Sequence, residues 1–304
     1  MHSFINQIIN FVKMKHPIKI TLILVGMFIV SQFLGLWIIN HYIDRSTGTP
    51  TYKELPYGLA PPPVNENYGF IFIIVGVLIG TGAVLLLIKF RKIGLWKVWF
   101  FLSALVTMGV AFSAFVNQWV SIVLSAILAF FKVFRPNLIV HNVTELLIYG
   151  GLAAIFVPIL NVFAVVMLLI IISIYDAYAV WHSKHMVKMA RFQAESKIFA
   201  GFLIPKGKVE FTKPLKKAKE VQSTRKPSVA LLGGGDVAFP LLFSGVVLKT
   251  VGFVPELFVI ALCTAVALLA LLYYGEQGKF YPAMPFLSAG TFIGYGIFLL
   301  LQSI

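Results

Sequence analysis

Apolar residues in this chain fall into long, nearly unbroken runs, not the narrow stripes that a water-soluble fold presents to a core. A helix rises 1.5 Å per residue, so crossing a hydrocarbon core of roughly 30 Å needs about 20 residues. Measured against that length, the runs predict nine membrane-spanning helices, near residues 18–40, 69–89, 96–116, 118–134, 142–158, 160–182, 228–248, 252–274 and 281–302. The fourth and fifth are the shortest. The fifth and sixth are separated only by Val157–Asn161, where Pro158 and Asn161 supply the turn signals. The expected fold class is therefore all-α, a polytopic membrane protein. Residues 1–19 place Phe4, Ile8, Phe11 and Met14 at helical spacing beside Lys13, Lys15 and Lys19, which predicts an interfacial amphipathic helix and not a cleaved signal peptide. Residues 183–227 lack the periodicity of a packed domain. They read as a mobile loop between a six-span portion (1–182) and a three-span portion (228–304).

Charge orients the pattern. Taken in order from the N-terminal tail, alternate segments hold 3, 4, 2, 12 and 1 Lys or Arg, whereas the loops between them hold 2, 0, 0 and 1. Basic residues concentrate on the cytoplasmic side, so the N-terminus is expected in the cytoplasm and the C-terminus outside. The loop at 183–227 carries twelve of the basic residues and three acidic ones, a balance suited to anionic lipid headgroups. The outer loop His41–Gly69, rich in Pro, Gly and Asn, shows no chemistry. Composition agrees with the membrane reading: 59% hydrophobic residues, 12% charged residues and a mean hydropathy of +0.92 exclude a water-exposed globule. The excess of 25 basic over 11 acidic residues is a topology signal and not a nucleic-acid footprint, because the basic residues lie between apolar runs without interleaved aromatics. With Cys263 the only cysteine, an internal disulfide is impossible.

Nine of the eleven acidic residues, Glu145 and Glu256 among them, fall in loops or near predicted span ends. Asp176 and Asp236 do not. Asp176 lies about six residues before the cytoplasmic end of the sixth span and Asp236 about eight beyond the cytoplasmic start of the seventh, so both sit roughly 9–12 Å into the membrane from one face. A lone intramembrane Asp serves equally well as a structural hydrogen-bond partner or half of an ion pair. Two at one level on consecutive helices can instead share a proton, one acting as base and the other as acid. That is the chemistry of aspartic proteolysis, whose nucleophile is water.

The seventh run contains Leu231–Leu242, LLGGGDVAFPLL. Three glycines inside a helix cost about 1 kcal/mol each relative to alanine. Gly233, Gly234 and Gly235 would allow a second backbone to approach beside Asp236, although small residues also serve plain helix packing. Pro282-Ala283-Met284-Pro285 opens the ninth run with two prolines that cannot donate hydrogen bonds. It reads as a helix cap, or as an unwound segment along which an extended substrate could add as a strand.

These residues resemble the GxGD intramembrane aspartyl proteases: presenilins, signal peptide peptidases and their archaeal homologues. Tyr175-Asp176 stands where the family has YD in the sixth span, Gly233-Gly234-Gly235-Asp236 fits GxGD in the seventh, and Pro282-Ala283-Met284 stands at the PAL motif of the ninth. Met284 replaces leucine at nearly conserved volume. Gly234 occupies a variable position often held by an apolar residue. The resemblance implies that Asp176 and Asp236 are a catalytic pair, that Tyr175, the glycines and Pro282–Pro285 position substrate, and that the substrates are transmembrane segments of membrane proteins. The expected orientation and the PAMP sequence are similar to presenilins and point to an archaeal presenilin homologue in the cell membrane.

The rival reading is a proton- or cation-coupled transporter or channel using the paired Asp residues. Such proteins commonly show two related halves, and no second GGGD-like segment occurs in the first five spans. His182 and His185 form an HxxH without a third ligand, so no metal site or cofactor is expected. Trp37, Trp96, Trp99, Trp119 and Trp181 read as interface anchors and Gln32 as interhelical glue. Natural substrates and oligomeric state are not encoded in any motif.

Overall fold

The computed structural model describes residues 17–46, 51–183, 193, 198–205, 229–275 and 281–303. Among these residues the chain forms α1 (Ile18–His41), β1 (Ile43–Asp44), β2 (Thr51–Tyr52), α2 (Gly69–Lys89), α3 (Ile93–Ser113), α4 (Gln118–Phe134), α5 (Leu138–Phe156), α6 (Val162–Tyr178), β3 (Gly201–Pro205), β4 (Val229–Gly233), α7 (Gly234–Val251), α8 (Phe258–Tyr274) and α9 (Met284–Gln302). Among the described residues eight helices are long and apolar enough to cross a membrane, and α4 is a shorter apolar helix. The fold is a polytopic helical bundle. The expected amphipathic helix at 1–19 lies almost wholly outside the described residues.

Each of the short turns before α4, α5 and α6 ends in an asparagine whose side chain caps the next helix. Asn117 accepts from Trp119 N and Val120 N, Asn137 from Val140 N, and Asn161 from Ala164 N. These caps satisfy donors that a helix start otherwise leaves unpaired. They also place the start of α5 at Leu138, one turn earlier than hydropathy predicts. Helix α1 packs on α5, α7 and α8, with Leu24, Phe28 and Leu36 fully buried. By contrast α2 buries only Gly69, Ile73 and Val84. Helices α8 and α9 lie very close: a Cβ on Gly290 or Gly294 would come within 2.6 Å of Ala267 or 2.7 Å of Ile260. Small residues at four-residue spacing permit this approach. Trp96 is buried against Trp99 and Phe100, whereas Trp37, Trp99, Trp119 and Trp181 keep exposed rings.

Two expectations change at the sixth-to-seventh connection. The run at 228–248 is not one helix: its first residues are strand β4, and α7 begins only at Gly234. The stretch read as a loop contains β3, which pairs antiparallel with β4 through the register Gly201↔Gly233, Phe202↔Leu232, Leu203↔Leu231, Ile204↔Ala230 and Pro205↔Val229. Phe202 and Ile204 are buried beneath it. Each strand is a five-residue apolar segment whose partner lies far away in sequence, so local periodicity carries no sign of it. Residues 184–192, 194–197 and 206–227 of that loop, His185 included, lie outside the described residues.

Candidate active site

Asp176 lies in the last turn of α6, which continues as a single π-helical turn over Ala179–Ser183. Its Oδ2 accepts a hydrogen bond of 3.0 Å from the backbone N–H of Met284, the first residue of α9. That N–H is one of the donors a helix start leaves without an internal partner. The PAMP segment thus acquires a role its sequence does not announce. Pro285 has no N–H to satisfy, Pro282 and Met284 are buried, and the Met284 amide caps onto the neighbouring carboxylate. One turn deeper, Ser173 Oγ and Ser288 Oγ lie 2.8 Å apart, a second tie between α6 and α9. Met284 N–H is therefore engaged, which removes it as a strand-pairing donor in this conformation.

Asp236 occupies the first turn of α7, where the unpaired amides and the helix dipole favour a carboxylate. Its depth comes from strand β4 and not from two preceding helical turns. A Cβ on Gly233 would lie 3.0 Å from Asp236 Oδ2, so a side chain there would press on the carboxylate. Gly234 meets a different neighbour: its Cβ would come within 3.2 Å of the Tyr149 ring and hydroxyl and 3.3 Å of the Ala200 carbonyl. Tyr149 fills the space that an apolar side chain at position 234 would take, which accounts for glycine at that variable motif position. Gly235 faces only Phe239 of its own helix. The helix interior therefore does not carry three glycines; they mark a strand-to-helix junction.

Two further features shape this first turn. Pro240 lies four residues after Asp236 and supplies no N–H to the Asp236 carbonyl. Gln32 Nε2 of α1 donates to the adjacent Val237 carbonyl at 3.0 Å, the interhelical role expected of it. Helices α6, α7 and α9 pack on one another, and Asp176, Asp236 and Met284 all lie at the end of the bundle where the α6–α7 and α8–α9 connections emerge. Tyr175 is half-buried in the same turn as Asp176. His182 stacks on Tyr178, and among the described residues no group of three His, Cys, Asp or Glu could hold a metal ion.

Among the described residues the strand pair has one closed edge and one open edge. Gly234 N donates to Ala200 O at 3.1 Å, so the alternation of antiparallel pairing points the N–H and C=O groups of Gly201 and Leu203 away from β4. Side chains of α5 meet them there. His141 Nε2 lies 2.8 Å from Gly201 O, Asn142 Nδ2 donates to Leu203 O at 2.9 Å, and Leu203 N donates to Asn142 Oδ1 at 3.0 Å. On the other side, Leu231 is exposed, and among the described residues no strand pairs with the outer edge of β4.

The expectation that Glu145 lies near a span end needs correction. Glu145 lies two turns inside α5, 1% exposed, with its Oε1 2.7 Å from Lys132 Nζ of α4. Lys132 Nζ also reaches Thr144 Oγ1 at 3.1 Å and the His141 carbonyl at 3.3 Å. The available signal is the four-residue spacing of His141, Glu145 and Tyr149, which sets them along one face of α5.

A family model for signal-peptide peptidases and presenilin aspartyl proteases matches residues 25–304. The chain belongs to this family. Two solved structures share its fold, both described as a presenilin family intramembrane aspartate protease. The P2 form has a TM-score of 0.60 at 18% identity, covering 91% of this chain and 96% of the other. The C222 form has a TM-score of 0.58 at 16% identity, covering 90% and 94%. Comparison with curated proteins finds no significant match. Family and fold together indicate an intramembrane aspartyl protease and set the transporter reading aside.

Proposed function

We propose that this protein hydrolyses peptide bonds within transmembrane segments of other membrane proteins, with Asp176 and Asp236 as the catalytic pair. The observation that carries the reading is the bond from Met284 N–H to Asp176, which ties α6 to the start of α9 at the end of the bundle where the Gly233–Asp236 junction opens α7. The two carboxyl groups hold one proton between them. The ionised one takes a proton from water as the oxygen attacks the peptide carbonyl carbon, while the protonated one donates to the carbonyl oxygen. In the tetrahedral diol that results, a proton passes to the amide nitrogen and the C–N bond breaks, leaving one carboxylic acid, one amine and the pair ready for a further turn.

A substrate helix hides its peptide bonds, so cleavage needs an extended stretch. The outer edge of β4 offers the Leu231 N–H and C=O and the Gly233 N–H to such a stretch, immediately before Asp236. On this reading the substrate adds as a third strand and its scissile bond lies beyond Gly233. With the N-terminus cytoplasmic, cuts fall in the cytoplasmic third of the substrate span, and the enzyme works in the cell membrane.

The test is incubation of the purified protein with a single-span peptide, followed by mass spectrometry. Wild-type protein yields fragments cut within the span, and Asp176→Ala and Asp236→Ala yield none. Substantial turnover by either variant, with folding intact, refutes the pair.

A further inference from the structure

We infer that His141 and Asn142 of α5 are positioning residues that set the register of the β3–β4 hairpin and thereby choose which substrate bond reaches Asp236. The inference rests on the strand-addition reading above. Asn142 behaves toward β3 as one residue of a neighbouring strand would: its amide both donates to and accepts from the backbone of a single residue, Leu203, at 2.9 and 3.0 Å. His141 engages the carbonyl of Gly201, the next group along the same edge. Pro205 needs no donor partner there because it has no N–H. The edge of β3 is thus occupied by side chains of a rigid helix, with two consequences. Substrate can add only to β4, and β3 cannot slide by a residue pair without breaking three hydrogen bonds.

Behind this clamp lies the buried ion pair. Lys132 Nζ is 3.4 Å from His141 Nδ1, and an ammonium has no lone pair to accept with. The network therefore assigns the acceptor role to Nδ1 and the proton to Nε2, which donates to Gly201 O. Lys132 is in turn held by Glu145 and Thr144. The sequence of contacts runs from α4 through α5 to β3, from β3 to β4 by the backbone ladder, and from β4 directly into Gly234 and Asp236. Gly201 has φ +148°, and a Cβ there would lie 2.3 Å from the Leu232 carbonyl, so the clamped end of β3 is itself specific for glycine.

The deciding experiment compares wild type with Asn142→Ala by two measurements. Mass spectrometry of products gives the ratio of the main cut to cuts one or two residues away. Hydrogen exchange reports the Phe202 and Ile204 amides, which face β4. The inference predicts that Asn142→Ala lowers the cut ratio about tenfold and speeds exchange by a similar factor, the effect of losing two net hydrogen bonds. A loss of total turnover with the cut ratio unchanged would mark a merely structural role and overturn it, as would unchanged exchange. If Asn142→Ala does not fold, His141→Ala, which removes one bond on the same edge, is read by the same two measurements. If wild-type protein cleaves no span, the strand-addition reading fails by itself, and exchange alone then decides whether α5 holds the hairpin.

Discussion

Removing Lys132 while leaving Glu145 tests whether the buried pair holds the α4–α5 side of the site together. Both side chains are about 1% exposed and the contact is 2.7 Å. Lys132→Met fits the space with a straight apolar chain and leaves a carboxylate without its cation. Breaking a buried pair in this way costs about 3–5 kcal/mol, whereas replacing both partners with apolar residues of similar volume is often neutral or stabilising. Glu145→Gln should cost less, about 1–3 kcal/mol, because the ammonium retains Thr144 Oγ1 and the His141 carbonyl as acceptors. The expected order of stability is therefore Lys132→Met/Glu145→Leu near wild type, then Glu145→Gln, then Lys132→Met. Reversible unfolding in mixed micelles, followed by circular dichroism, gives the four free energies, and Glu145→Leu measured alongside closes the cycle that yields the coupling between the two sites. Equal losses in Lys132→Met and in the double variant would show that no uncompensated charge is created and would refute the reasoning. The double variant separates stability from positioning, because it restores the former while removing the ammonium that orients His141.

Gly234→Leu should abolish turnover by driving into the Tyr149 ring and the Ala200 carbonyl, and Tyr149→Ala in the same chain should restore part of it; no restoration in a folded double variant would show that the two positions do not share the space. Asp176→Asn should be inactive yet more stable than Asp176→Ala, since its amide oxygen still accepts from Met284 N–H, with a difference of about 1 kcal/mol expected for a helix-start partner; equal melting of the two variants refutes the cap. A pair that shares one proton predicts a bell-shaped dependence of kcat/KM on pH, falling on the acid side when both carboxyls are protonated and on the alkaline side when both are ionised. A flat profile with chemistry limiting refutes the sharing.

Hydrophobic runs carried the helical layout because each span is long compared with the error in its ends. Eight of the nine predicted spans coincide with helices among the described residues, and the seventh does so from Gly234 onward. The departures share one cause. Val229–Gly233 and Gly201–Pro205 are apolar runs too short for their period to separate strand from helix, and each becomes a strand only by pairing with a segment about thirty residues away. Lys132 and Glu145 likewise form a pair that no spacing rule joins, since they sit on different helices. The start of α5 was legible: Asn137 is a capping residue in front of Leu138, and reading it places Glu145 at depth. The carboxylates and the three motifs were visible as residue types. That Met284 donates to Asp176, and that Tyr149 fills the place of a side chain at Gly234, depends on tertiary neighbours that the linear pattern does not name.

A strand inside a membrane protein raises the question of where its backbone groups go, since lipid offers them no partner. Here the answer differs for the two strands, and the difference is what makes the site usable on the proposed reading. β3 is closed on both edges, by β4 on one side and by His141 and Asn142 on the other. Among the described residues β4 pairs only with β3, and Leu231 lies exposed on it. An unwound substrate has the same problem in reverse, because its freed N–H and C=O groups also lack partners once its helix opens. Joining the two edges satisfies both sets, so the cost of unwinding, several kcal/mol per unsatisfied group in hydrocarbon, is offset where the scissile bond must lie. The glycines follow from this geometry. A side chain at 233 would press on the Asp236 carboxylate, and one at 234 would displace Tyr149 from the junction. The chain can therefore turn from strand β4 into the helix that carries Asp236 within a single residue.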